Sequence, residues 1–165
     1  MLYSHNSVLI NNCIEDVYRF IAVDFFDNYQ KWSPEVCELE KLTSGEMRVG
    51  VTGRQVRCDL GYRSEAFFRV TRFMPLRELS FSSLSKPEFG VSYLFEPANA
   101  ATRLIFDFQL KPPLLMLPLH SRIHDIIKQS GGQVVTNLKA LLETKADALT
   151  ACAAQGPVPV EGEGG

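Results

Sequence analysis

The sequence predicts an α+β domain in which an antiparallel sheet of about seven strands is covered by one long C-terminal helix. Three observations predict it. Residues 119–148 carry the one long stretch of helical periodicity, with Ile123, Ile127, Val134, Leu138, Leu141 and Leu142 recurring at steps of three, four or seven. Residues 36–110 instead alternate with a period of two and are broken by short turns, which make antiparallel neighbours. Their alternation is one-sided, so one face of the sheet needs cover, and a helix roughly 45 Å long with a single apolar stripe can supply it.

Bulk properties narrow the class. A chain of 165 residues with 45% hydrophobic and 22% charged residues suits one globular domain. Its net charge of −2 gives no overall attraction to nucleic acid, and no nucleic-acid partner is expected. Arg54, Arg57, Arg63, Arg69, Arg72 and Arg77 crowd the central third and read as solvent-facing strand positions rather than a basic patch. Cys13, Cys37, Cys58 and Cys152 are scattered without a CxxC pair, which predicts free thiols in a reducing compartment. No leader pattern follows Met1, and the longest apolar run, 114–119, contains Pro118 and is too short to span a bilayer. The expectation is a cytoplasmic monomer or homodimer with no integral membrane segment.

Taken in order, residues 3–10 end in an alternation that predicts a first strand. Asn12 with Glu15 three residues on predicts a capped short helix to about residue 23, on the stripe Ile14, Val17, Tyr18 and Ile21. The aromatic stretch 24–32 predicts a second short helix or turn, ended by Ser33-Pro34. Strands follow at 36–42, 50–60, 62–73, 78–84, 89–95 and 102–110, and Pro112-Pro113 closes the strand region. A single domain is expected to occupy residues 1–149. Residues 150–165, small, proline-rich and acidic, are expected to form a disordered tail.

With this order complete, a family resemblance is visible. It is carried by 10–20 (INNCIEDVYRF), Asn28-Tyr29, 32–36 (WSPEV), Gly50, 70–75 (VTRFMP) with Arg77, Leu79 and Phe81, 93–97 (YLFEP), 102–104 (TRL), 137–139 (NLK) and Leu142-Glu143. These residues resemble the START-like superfamily called SRPBCC, or Bet v 1-like, and within it the polyketide cyclase/dehydrase and lipid-transport group. The match covers about residues 5–145. It implies the helix-grip fold, a curved sheet wrapped around the C-terminal helix with a deep apolar cavity between them. It implies a hydrophobic small-molecule partner such as a lipid, sterol, polyketide or aromatic metabolite, and no cofactor. Some members of the family are cyclases and others bind or carry, and a weaker reading is a non-catalytic partner-binding module like the quinone-chaperone relatives. The family has no universal catalytic triad, so the resemblance transfers fold further than activity.

Candidate site residues follow from the inward phase of each strand. Phe68, Phe81, Phe89, Tyr93, Phe95, Phe106 and Phe108 share the covered face and are either cavity wall or solid core. Ile127, Gly131 and Val134 present the helix to the same space. Tyr62, Ser64 and Tyr93 are the candidate polar cavity groups, since a buried hydroxyl needs a partner. Arg54 shares its alternation with Val56 and Cys58. It points inward, toward a ligand carboxylate or enolate, unless a bulge turns it out, the preferred reading. Trp32 belongs at the cavity mouth or in the core. His120 and His124 have metal-ligand spacing but lack a third ligand, so they read as surface residues and no metal is expected. Gly131-Gly132 interrupts the helical stripe, which predicts either a kink or close approach of the sheet, or else space for a ligand or a gate.

Overall fold

The computed structural model describes residues 1–59 and 61–153, with side chains described as far as Thr144. Seven strands form one antiparallel sheet: β1 (Leu2–Ile10), β2 (Val36–Lys41), β3 (Thr52–Asp59), β4 (Tyr62–Met74), β5 (Glu78–Ser83), β6 (Glu88–Ala98) and β7 (Ala101–Lys111). Their spatial order is β1-β7-β6-β5-β4-β3-β2, so β2 to β7 form a meander and β1 adds to its far edge. After β1 come α1 (Ile14–Tyr18), a π-helical turn (Arg19–Val23) and α2 (Phe25–Trp32). A 3-10 turn (Leu114–Leu119), none of whose residues is buried, leads into α3 (His120–Ala153). The expected tail, apart from the last residues of α3, and Leu60 as the end of a strand lie outside the described residues.

The inner face is set by apolar alternation. Phe68 and Val70 in β4, Leu79 and Phe81 in β5, and Leu104 and Phe106 in β7 are buried beside α1 and α2. Burying each such side chain contributes roughly 1.5–3 kcal/mol. One half of the interior is solid and aromatic: Phe25 stacks on Tyr29 at 4.6 Å between ring centres, and Phe68 meets Phe81 at 4.9 Å. Trp32 belongs to this half and is 1% exposed, which places it in the core rather than at a mouth.

Two features of the short helices and the sheet differ from expectation. Cys13, not Asn12, precedes α1, and no side-chain hydrogen bond caps that helix. Asn12 instead donates to the Leu142 carbonyl at 3.0 Å and accepts from the Cys13 N–H, so its amide ties the end of β1 to α3. A tertiary partner has displaced the local capping box. The four-free-thiol reading is also corrected: Cys37 and Cys58 are joined as a disulfide, with Cα atoms 6.1 Å apart. A register shift in β2 between Val36 and Glu38 places Cys37 beside β3, a relationship that sequence spacing does not reveal. Cys13 is free and exposed.

α3 passes through Gly131-Gly132 as one continuous helix. A Cβ on Gly131 would fall 2.5 Å from Ser4 Oγ and closer still to Asn6 Nδ2, whereas one on Gly132 would meet only Asn6 Oδ1 at 3.8 Å. Gly131 is therefore a point of close approach between β1 and α3, and the close-approach reading accounts for it. No described helix is long and apolar enough to cross a membrane.

Candidate functional site

A cavity of about 570 Å³ lies between the inner face of the sheet and α3. Its walls are largely apolar: Phe81, Phe89, Val91, Phe106, Phe108 and Leu110 from β5 to β7, faced by Ile127 and Val134 of α3. Phe89 and Phe108 stack at 6.3 Å across neighbouring strands. Gly131 borders the same space, and Gly132 does not.

The opposite end is polar and is built mainly by β3 and the exit from α2. Gln55, Arg57 and Asp59 alternate inward along β3, beside Tyr29, Ser33 and Glu35. Arg57 Nη2 lies 2.9 Å from Glu35 Oε1, and its Nε lies 3.1 Å from Asp59 Oδ2. Burial pulls the Arg57 pKa down, but Tyr29, Glu35 and Asp59 around it leave the balance raised, so it remains a cation. Burial pushes the Tyr29 hydroxyl up, partly opposed by the Arg57 charge. Burial likewise carries Tyr93 well above the usual phenol range. Both phenols are therefore neutral hydrogen-bonding groups at neutral pH. Trp32 Nε1–H donates to Tyr93 Oη at 3.2 Å, fixing that hydroxyl from the core side.

Gln55 is 5% exposed, and its Oε1 has no hydrogen-bond partner among the described residues. An orphaned acceptor in a buried setting costs about 1–3 kcal/mol. The Gln55 side chain borders the cavity, but its Oε1 is itself shielded from it.

The structure brings together Ser64, Phe81, Phe89, Tyr93, Phe106, Phe108, Ile127, Gly131 and Val134 around the cavity. Four other candidates fall elsewhere. Phe68 is sealed in the aromatic core against Phe25, Phe26 and Phe81. Phe95 packs edge-on against Tyr18, 5.2 Å between centres, outside the lining. Tyr62 is 81% exposed at the first position of β4, because the strand there has run past the covered part of the sheet. Arg54 points away from the cavity and pairs with Glu38 at 3.1 Å and Glu65 at 2.7 Å. No bulge in β3 causes this, since its pairing with β4 is continuous from Thr52 to Asp59. The phase is set by Gly53, which leaves room for Phe68 and Phe26 beneath the sheet.

It follows that Arg57, read above as solvent-facing, is the inward arginine of the central group. Gln55, Arg57, Glu35 and Tyr29 were missed as site residues. Glu35 and Asp59, brought to the same end of the antiparallel β2–β3 pair, form an acidic clamp on Arg57. Among the described residues no three His, Cys, Asp or Glu side chains gather as a metal site, and His124 lies 3.9 Å from Asp125.

No protein-family profile matches the chain, and no curated protein matches it. Solved structures match it in shape. A protein from Thermus thermophilus superposes with a TM-score of 0.70 at 15% identity, covering 87% of this chain and 99% of that one. A START superfamily protein from Mycobacterium smegmatis gives 0.63 at 15% identity, over 89% of this chain and 98% of the other. The di-domain ARO/CYC StfQ from the steffimycin biosynthetic pathway gives 0.73 at 11% identity, over 88% of this chain and 52% of that protein. Identities this low speak for backbone architecture alone. The chain therefore has the helix-grip fold, with the backbone architecture seen in a START superfamily protein.

Proposed function

We propose that this protein binds a hydrophobic or aromatic small molecule, of the lipid or polyketide kind, in the cavity between the sheet and α3. The observation that carries the reading is the cavity itself: about 570 Å³, with apolar walls and a few polar groups gathered at one end. Volumes of about 300–1,000 Å³ with that distribution of groups are typical of small-molecule sites. Mass spectrometry of gently purified protein, together with displacement of a lipophilic fluorescent dye, tests it. The expected result is saturable dye uptake and displacement by apolar compounds; absence of uptake by folded protein overturns the reading.

A second reading, a cyclase- or dehydratase-type enzyme, is favoured by the grouping of Tyr29, Tyr93 and Arg57 at the polar end. The likeness in shape to StfQ supports the same class. There the chain would hold an extended substrate against neutral phenols able to donate a proton and a guanidinium able to stabilise developing negative charge. Turnover of poly-β-keto or aromatic substrates by wild type, Tyr29→Phe and Tyr93→Phe discriminates the readings. Equal rates in all three proteins remove the phenols from any mechanism.

A further inference from the structure

We propose that the end of the molecule where β7 passes into α3 docks on an anionic lipid bilayer, with the turn Leu114–Leu119 entering the interfacial layer. The first observation is exposed apolar surface. Leu114 is 83% and Leu115 94% exposed, and Met116, Leu117 and Leu119 are each about half exposed. No residue of this turn is buried, so these side chains do not serve the core. Ile126 of α3 and Leu84, in the β5–β6 turn at the same end of the sheet, are also about half exposed. Large apolar side chains gathered in this way mark an interaction surface.

Length and charge identify the partner. The turn has six residues with Pro118 inside, and no described helix can cross a bilayer, so the segment can enter only the interfacial layer. Around it the free charges are mainly cations. Lys86, Arg122 and Lys128 are exposed and have no ion-pair partner among the described residues. The acids at this end are matched: Glu88 by Lys111, Glu35 and Asp59 by Arg57, and Glu65 by Arg54. Asp125 is the exception, 3.9 Å from His124. Arg122 and Ile126 are one helical turn apart and share a flank of α3, so a cation and an apolar side chain meet the same plane. A guanidinium at headgroup level beside apolar side chains suits an anionic bilayer surface. A second copy of this chain on the same patch would instead bring like cations together across a twofold axis.

The turn lies outside the cavity lining, so docking stands whether or not the cavity holds a ligand. Ile126 belongs to both, being exposed and part of the lining, which sets the cavity beside the docked surface.

Co-sedimentation of the full chain with vesicles tests this, using pure phosphatidylcholine and an equimolar mixture with phosphatidylglycerol. Wild type should bind the mixed vesicles tighter than pure phosphatidylcholine by roughly tenfold or more, and added salt should release it. Leu114→Ser/Leu115→Ser should weaken binding to mixed vesicles by roughly tenfold or more. Its thermal unfolding should match wild type, because both side chains already face water. Arg122→Gln should lose roughly fivefold on mixed vesicles. Failure of wild type to bind either vesicle overturns the proposal, and so does equal binding of wild type and the double variant. Equal affinity for the two vesicle types overturns the anionic partner. Concentration-dependent dimerisation that the double substitution abolishes, without vesicle binding, assigns the turn to a second copy and overturns the proposal as well. Dye uptake by the cavity is measured separately on the same protein, so failure of docking and failure of ligand binding are distinguishable.

Discussion

Trp32 and Tyr93 are joined by a hydrogen bond from indole N–H to phenol oxygen at 3.2 Å, with the two rings edge to face at 6.2 Å. One residue is wholly core and the other borders the cavity, so this bond is where the solid half of the interior holds the hollow half in place. Tyr93→Phe leaves the indole donor unpaired in a dry site and should cost about 1–3 kcal/mol in urea unfolding. Trp32→Phe should cost more, about 2–4 kcal/mol, since packing volume is lost with the bond. The double variant should be less destabilised than the sum of the two, by about 1 kcal/mol. Strict additivity would mean that the bond contributes nothing.

The two glycines of α3 should respond oppositely to the same substitution. Gly131→Ala drives a Cβ into Ser4 and Asn6. It should lower stability by about 1–3 kcal/mol in spite of alanine's better helix propensity. Gly132→Ala makes only an ordinary contact with Asn6 and should raise stability by about 0.5–1 kcal/mol. Dye affinity should be unchanged in Gly132→Ala, since that residue does not border the cavity. Thermal unfolding of the two variants side by side is sufficient to check the signs.

Acid should loosen the seat of α3 on β1. Glu143 accepts from Lys139 and from the Asn11 N–H, and those bonds hold its carboxyl below the ordinary value of 4.5. A depressed pKa contributes stability that is present above the unfolded value and is lost as pH falls through the folded one. Wild type should therefore exceed Glu143→Gln in urea midpoint at neutral pH, and the gap should close as pH falls below about 4. A gap that persists at low pH would mean that the side chain acts by packing rather than by charge.

Tyr62→Phe should be silent. The residue is 81% exposed and lies outside the cavity lining, so stability should stay within about 0.5 kcal/mol and dye affinity should not move. Phe106→Ala, by contrast, removes a side chain that is both 6% exposed and part of the cavity wall. It should cost about 3–5 kcal/mol and admit bulkier dyes. Parallel dye titrations of the two variants check both outcomes.

Most of the fold was legible because its strands contrast strongly. In β7, Leu104, Phe106 and Phe108 alternate with Arg103, Ile105 and Asp107, and in β4 and β6 the contrast is nearly as clear, so the inward face could be read directly. β3 offers no such contrast. Arg54, Gln55 and Arg57 place polar groups on both faces, while Val56 and Cys58 drew the inward assignment to the wrong set. Its true phase depends on Gly53 yielding to Phe68, a contact between strands. The same limit hid the role of Asn12, whose amide answers to Leu142 across 130 residues, and of Gly131, whose missing side chain makes sense only beside Ser4. Local pattern identifies elements; their polar termini and close approaches are settled by partners distant in sequence.

The aromatic half of the interior has a consequence for how this scaffold could be re-engineered. Phe25, Phe26, Phe68 and Trp32 interlock without facing the cavity, whereas Phe89, Phe108 and Leu110 line it and are only half-buried. Core packing and cavity lining thus fall partly to separate side chains, with Phe81, Tyr93 and Phe106 serving both. A library confined to the second set could retune the shape of the chamber while the first continues to hold the chassis together.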